Sequence, residues 1–167
     1  MQYSFLTNIA TLWKIGHVKK APGTAGSFAA LLLAPLCFLP FSYLVRFLLI
    51  LAIFLIGIIA SNKAEQELQQ KDPSSVIIDE VVGQWIALFP VNACSYMSLE
   101  AFSYSQMYIM IFAFLFFRVF DISKLGPIGL CDRKIKGGLG IMVDDVVAGI
   151  FAALFIYPLQ FYANLLF

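Results

Sequence analysis

The chain of 167 residues is short of charge, short of histidine and short of paired cysteine, and each shortage removes a class of explanation. Charged residues make up 13% against 61% hydrophobic, with a mean hydropathy of +0.88, which is too apolar for a water-soluble domain of this length. A single histidine, His17, leaves no histidine pair for a zinc site of the usual kind. The three cysteines, Cys37, Cys94 and Cys131, show no paired spacing and sit in or beside apolar segments. They read as reduced packing residues rather than as a disulfide or a metal set. No basic cluster is interleaved with aromatics, so nucleic acid is not an expected partner. The apolar stretch Ile9–Trp13 is too short for a signal-peptide core, and Lys14, Lys19 and Lys20 follow it rather than precede it, so no cleaved leader is expected. Repeats, low-complexity tracts and long linkers are also missing, which makes residues 1–167 a single expected domain.

What the chain has instead is long apolar runs of about 18 to 20 residues, the length that matches a hydrocarbon core. They predict an all-α, polytopic membrane protein with four to five spans, roughly Ser27–Leu39, Tyr43–Ala60, Val81–Tyr96, Leu99–Phe120 and Met142–Tyr162. The first runs into Pro35 and Pro40 and is expected to be tilted, kinked or re-entrant. In the last, Ala148, Gly149, Ala152 and Ala153 would permit close helix packing.

Charge is as unevenly placed as it is scarce. On this topology every one of the ten acids except Glu100, and every one of the eleven Lys and Arg residues except Arg46, falls on one side of the bilayer. The Lys and Arg excess of those loops predicts that this side faces the cytoplasm. Glu65, Glu67, Lys63, Lys71 and Asp72 read as a solvated polar extension of the second span. Asp79-Glu80 and Asp144-Asp145 differ, because apolar residues flank each pair on both sides. Acids at a helix start can simply favour the helix dipole, but adjacent packed carboxylates repel each other, and a divalent cation would relieve that. Mg²⁺ is the expected ion, held by oxygen ligands from separate helix ends with a substrate phosphate completing its shell.

Other groups could handle phosphate. Arg118 and Asp121 lie three apart on one helical face, where the arginine either pairs with the acid or forks onto a phosphate. Asp132-Arg133-Lys134-x-Lys136 leads into Gly137-Gly138-Leu139-Gly140, a candidate phosphate cradle. Near the N-terminus, Pro22-Gly23-Thr24-Ala25-Gly26-Ser27 opens an apolar helix that Thr24 or Ser27 could cap, and such a start is also an anion site.

Taken in order, Pro22–Ser27, Asp79-Glu80-x-x-Gly83-x-Trp85, Arg118-x-x-Asp121-x-x-Lys124 and Gly137-Gly138-x-Gly140-Ile141-Met142-x-Asp144-Asp145-x-x-Ala148-Gly149 resemble the motifs of the phosphatidylglycerophosphatase A family. The resemblance implies a Mg²⁺-dependent lipid phosphatase of the bacterial inner membrane, active site toward the cytoplasm, that converts phosphatidylglycerophosphate to phosphatidylglycerol. It implies a metal site of Asp79, Glu80, Asp144 and Asp145 with Asp132 and Asp121 as further ligands or orienting groups. Arg118 and Lys124 would bind the phosphomonoester, aided by Gly137, Gly138, Thr24 and Ser27. Water or a carboxylate would be the nucleophile. One departure is visible: the family's Pro-x-Pro-Ile after the lysine is here Leu125-Gly126-Pro127-Ile128, which loosens that turn. The rival readings are a small cation transporter, which should place its acids near the midplane, and a non-catalytic membrane subunit. The oligomeric state is left open by the sequence.

Overall fold

The structure, a computed structural model, describes residues 3–91, 104–124, 126, 128–129 and 135–166, with the backbone alone at 104–105 and 163–166. The candidate ligand Asp132, and with it Cys94, Glu100 and Cys131, lies outside the described residues. All regular structure within them is helical, as expected: α1 (Phe5–Ala10), one tighter turn (Ile15–His17), α2 (Pro22–Cys37), α3 (Tyr43–Leu68), α4 (Ile78–Ala87), α5 (Tyr104–Ser123) and α6 (Gly137–Leu166). With 26, 20 and 30 residues, α3, α5 and α6 are about 39, 30 and 45 Å long, and each can cross a hydrocarbon core of about 30 Å. Their outward faces carry exposed Leu, Ile and Phe side chains, such as Leu48, Leu55, Ile59, Phe112 and Leu154. These faces suit lipid, and the chain is a polytopic helical membrane protein.

Two of the expected spans take a different form. Helix α4 has ten residues, about 15 Å, so Val81–Tyr96 is not a helical crossing within the described residues. The apolar run there belongs to a helix enclosed by the bundle, with Val82, Gly83, Gln84, Trp85 and Ala87 all buried. Turns at Leu88–Val91 end it, around a proline that cannot donate to the helix ladder. Helix α2, at 16 residues and about 24 Å, also stops short, as its prolines led one to expect. It starts at Pro22, a turn earlier than Ser27, because proline is well suited to a first helical position.

A helix that ends inside a membrane protein leaves carbonyl groups without donors. Arg46, in the first turn of α3 and wholly buried, supplies them. Its guanidinium donates to the carbonyls of Leu39 and Phe41 after α2 and of Phe89 and Val91 after α4, with Nε to Phe41 O at 3.0 Å and Nη1 to Val91 O at 2.6 Å. The rings of Phe38 and Tyr43 lie 5.4 and 5.1 Å from its central carbon. One cation thus closes both incomplete helices.

Small residues set how closely the helices approach. A Cβ added at Gly83 would meet the Phe117 ring and, at 2.8 Å, the backbone carbonyl of Asp145; one added at Gly149 would meet Ile86 Cβ at 3.0 Å and the carbonyl of Gly83. Backbone therefore packs on backbone between α4 and α6, with Ala148 and Ala152 buried beside it. Trp85 locks α4 to α2, donating from Nε1 to Ala30 O at 3.0 Å and stacking on Phe38 at 4.9 Å. At the charged side, Glu67 is not a solvated decoration: it accepts from Thr7 Oγ1 at 2.7 Å and Ser4 N at 3.1 Å and ties α1 to the end of α3. Cys37 is a free cysteine, as expected, and is exposed at the end of α2.

Arg46→Ala is expected to lower stability in detergent by about 3 kcal/mol or more, since each buried carbonyl left without a donor costs about 1–3 kcal/mol. Arg46→Lys should recover only part, because one ammonium cannot span the two forks. Thermal unfolding of the two variants checks this, and an unchanged Arg46→Ala midpoint would contradict it.

Candidate active site

Helices α2, α4 and α6 begin, and α3 and α5 end, on the side that carries the charges. The close approach of α4 to α6 then sets Asp79-Glu80 beside Asp144-Asp145, while α5 brings Arg118 and Asp121 to the same place. Among the described residues, the walls of a cavity of about 230 Å³ include six acids, Asp72, Asp79, Glu80, Asp121, Asp144 and Asp145, against two cations, Arg118 and Lys124. At about 30 Å³ per water, this space suits a phosphate group with a few waters, and the acyl chains of a lipid would stay in the bilayer.

The cations are already engaged. Arg118 Nη1 pairs with Glu80 Oε2 and, at 2.9 Å, with Asp121 Oδ2, as the three-residue spacing suggested. It also donates to Ser27 Oγ at 3.1 Å, while Arg118 Nε has no partner. Lys124 Nζ lies 3.2 Å from Asp144 Oδ2, and Asp144 Oδ1 accepts from the Asp145 backbone N–H at 3.1 Å. On the acidic side, Asp79 Oδ1 and Asp145 Oδ2 are buried with no hydrogen-bond partner among the described residues. Burial, then the charges of Glu80 and Asp144, push the Asp79 carboxyl well above the usual carboxylate range.

Local backbone supports this arrangement. Ala21, Asp72 and Lys124 all adopt left-handed conformations at φ +50, +48 and +44, next to or within the cavity wall. Such strain on non-glycine residues collects at functional sites. At the start of α2, Gly23 leaves room for the Glu80 carboxylate: a Cβ there would run into Glu80 Oε1 and push it aside. Ser27 does not cap the helix, whose cap position is Ala21 with no side-chain bond. Being one turn inside, Ser27 reaches Glu80 Oε2 at 2.7 Å and Gly23 O at 2.9 Å. Thr24 sits in the first turn without lining the cavity.

Gly137 and Gly138 form the first turn of α6 and do not line the carboxylate cavity. The Gly138 N–H donates to Asn62 Oδ1 at 2.7 Å, and a Cβ there would meet Asn62 N at 2.8 Å, so helix packing accounts for that glycine. Asp72 is the residue that the sequence reading passed over. Its N–H donates to Glu65 Oε1 at 2.9 Å, which turns the loop before α4 onto the cavity. Asp72-Pro73 marks a turn in sequence, but only the fold shows where it leads.

Among the described residues no group of three or more His, Cys, Asp or Glu side chains is arranged to hold a metal ion alone. The two unpartnered oxygens, in a cavity with four more acids than cations, fit a hard cation that takes one or two carboxylates and keeps several waters.

Residues 8–160 match the family model of phosphatidylglycerophosphatase A. The chain belongs to the phosphatidylglycerophosphatase A family. That match runs from α1 into the last turns of α6 and takes in every acid of the cavity. The chain is 31% identical over 147 residues to phosphatidylglycerophosphatase A of Haemophilus influenzae, covering 88% of this chain and 83% of the relative. It is 32% identical over 143 residues to that of Escherichia coli, covering 81% and 72%. A Bacteroides thetaiotaomicron protein bearing the provisional name phosphatidylinositol-3-phosphatase is 38% identical over 157 residues, 89% of each chain. No solved structure matches. Membership of this family makes the protein a phosphoric monoester hydrolase.

Gly23→Ala is expected to displace the Glu80 carboxylate from Arg118 and Ser27 and to lower kcat on a lipid phosphomonoester by about tenfold or more, or about 1.4 kcal/mol in the barrier. The melting temperature should change little. Wild-type kcat in a folded Gly23→Ala protein would show that the Glu80 position does not matter.

Proposed function

We propose that this phosphatase removes the terminal phosphate of phosphatidylglycerophosphate, giving phosphatidylglycerol, with Mg²⁺ bound at the carboxylate cavity. The observation that carries the reading is the excess of acids over cations, with Asp79 Oδ1 and Asp145 Oδ2 left unpartnered, in a cavity at the charged end of membrane helices. A phosphomonoester dianion is repelled by such a cavity unless a cation is also there. The names of the H. influenzae and E. coli relatives supply the head group. The excess of Lys and Arg in the loops on this side supports a cytoplasmic orientation, and the family supports a bacterial inner membrane.

Asp79 and Asp145 are the residues that would hold Mg²⁺, with Glu80 and Asp144 beside them. When bound, the ion supplies positive charge to the phosphoryl oxygens and a lowered pKa to a bound water. The chain's own residues do the rest. Arg118, held in place by Glu80, Asp121 and Ser27, presents a guanidinium whose Nε is unpartnered. Lys124 exchanges Asp144 for a phosphate oxygen as substrate enters. Gly23 leaves its part of the wall at the start of α2 without a side chain that would crowd the head group. The volume of about 230 Å³ admits a phosphate group.

The test is phosphate release by detergent-purified protein, with Mg²⁺ and with chelator, from phosphatidylglycerophosphate, phosphatidate, phosphatidylinositol 3-phosphate and a soluble phosphomonoester. Metal-dependent release, fastest from the first, is the expected result. Equal rates with chelator would remove the cation, and preference for the inositol lipid would change the substrate. Asp79→Asn and Asp145→Asn should each cost about 10²-fold or more in kcat, the scale of losing charge stabilisation in a transition state, with normal expression and melting. Near-normal turnover in both would sink the assignment.

A further inference from the structure

A second polar cavity, of about 510 Å³, adjoins the first. Its walls include Glu65, Lys71, Asp72, Lys136, Gly137 and Gly140, and Asp72 is shared with the carboxylate cavity. Along α6, Gly140 precedes Asp144 by four residues, about one turn or about 6 Å of rise on the same face. Gly137 lies about 10 Å of rise before Asp144, farther from the bilayer centre and toward water. The two cavities are therefore successive compartments along one helix.

Their electrostatics differ. Arg118 and Lys124 in the first are paired with acids and outnumbered. Among the described residues of the second, two lysines stand against two acids. Glu65 is occupied with the Asp72 N–H, and neither Lys71 nor Lys136 makes an ion pair among the described residues. The positive end of the 30-residue helix α6 lies at the same wall. Two exposed ammonium groups without ion pairs among the described residues, beside a helix start and in a space larger than the catalytic cavity, suit an oxyanion that needs no metal.

We propose that this second compartment is a phosphate subsite, with Lys71 and Lys136 as its ligands and Asp72 as the divider that separates it from the reacting phosphate. This inference rests on the phosphatase reading above. The phosphate has two sources: the phosphodiester of a head group that carries two phosphates, or the inorganic phosphate leaving toward water after hydrolysis. Lys71 and Lys136 take no part in holding the reacting phosphate, so they act on affinity rather than on chemistry.

The experiment compares the full-length wild type with Lys71→Gln, Lys136→Gln and the double variant in detergent. KM is measured for phosphatidylglycerophosphate and for phosphatidate, together with inhibition by inorganic phosphate. Loss of two charge-assisted contacts should weaken phosphate affinity about tenfold in the double variant, with kcat on phosphatidate unchanged. A tenfold rise in KM for the two-phosphate lipid alone assigns the compartment to the head group. A tenfold weaker inhibition by inorganic phosphate, with KM values unmoved, assigns it to the released product. If neither quantity moves, or if both lipids lose kcat equally, the proposal is wrong. Calorimetric titration of inorganic phosphate into the same proteins reads the subsite without turnover. A wild type that hydrolyses no lipid but loses phosphate binding on double substitution would overturn the phosphatase reading and leave the subsite standing; equal binding by both proteins would overturn the subsite.

Discussion

Repulsion among six carboxylates around a cavity of about 230 Å³ is the constraint on which the rest of this molecule turns. Like charges held this close, partly out of water, cost several kcal/mol unless something answers them. Arg118 and Lys124 answer part of it. The remainder is stored in Asp79 and Asp145, each of which has one buried oxygen, Oδ1 and Oδ2 respectively, without a hydrogen-bond partner among the described residues. A protein whose stability is only a small balance of large terms keeps such an arrangement where a ligand relieves it. The backbone-to-backbone contact of Gly83 and Gly149 forces the two acid pairs together, and so the packing of α4 on α6 and the chemistry of the site are one feature.

The incomplete helices serve the same end. Since α2 and α4 stop within the protein, their first turns can carry polar groups at the membrane surface while their last turns are closed by Arg46. A single guanidinium at the other end of these helices ties together the turns that follow them. Broken helices and membrane acids also occur in transporters. Here the acids crowd one end of the bundle, and the family is one of phosphatases.

Much of this was legible in sequence, because lipid leaves few options. Long apolar runs can only be helices, and α3, α5 and α6 followed directly. The acid pairs stood out because apolar residues flank them, and Arg118 with Asp121 because their spacing is helical. Helix α4 misled, since a short helix enclosed by protein and a lipid-crossing one have the same composition. The role of Arg46 was not legible, because two of its four carbonyl partners lie 43 and 45 residues away, a link that no local pattern displays. Asp72 and Ser27 were misplaced for related reasons: one belongs to a loop whose direction depends on Glu65, and the other to a helix that starts a turn earlier than its hydrophobic run.

That α4 and α6 together hold a divalent cation, as proposed, is tested more directly by metal binding than by turnover. Mn²⁺, a hard cation with similar oxygen ligands, can be titrated into detergent-purified protein and its free fraction read by electron paramagnetic resonance. Saturable binding that Mg²⁺ displaces, weakened about tenfold or more by Asp79→Asn and by Asp145→Asn, is the expected result. No saturable binding by the folded wild type, or equal affinity in both variants, would contradict it.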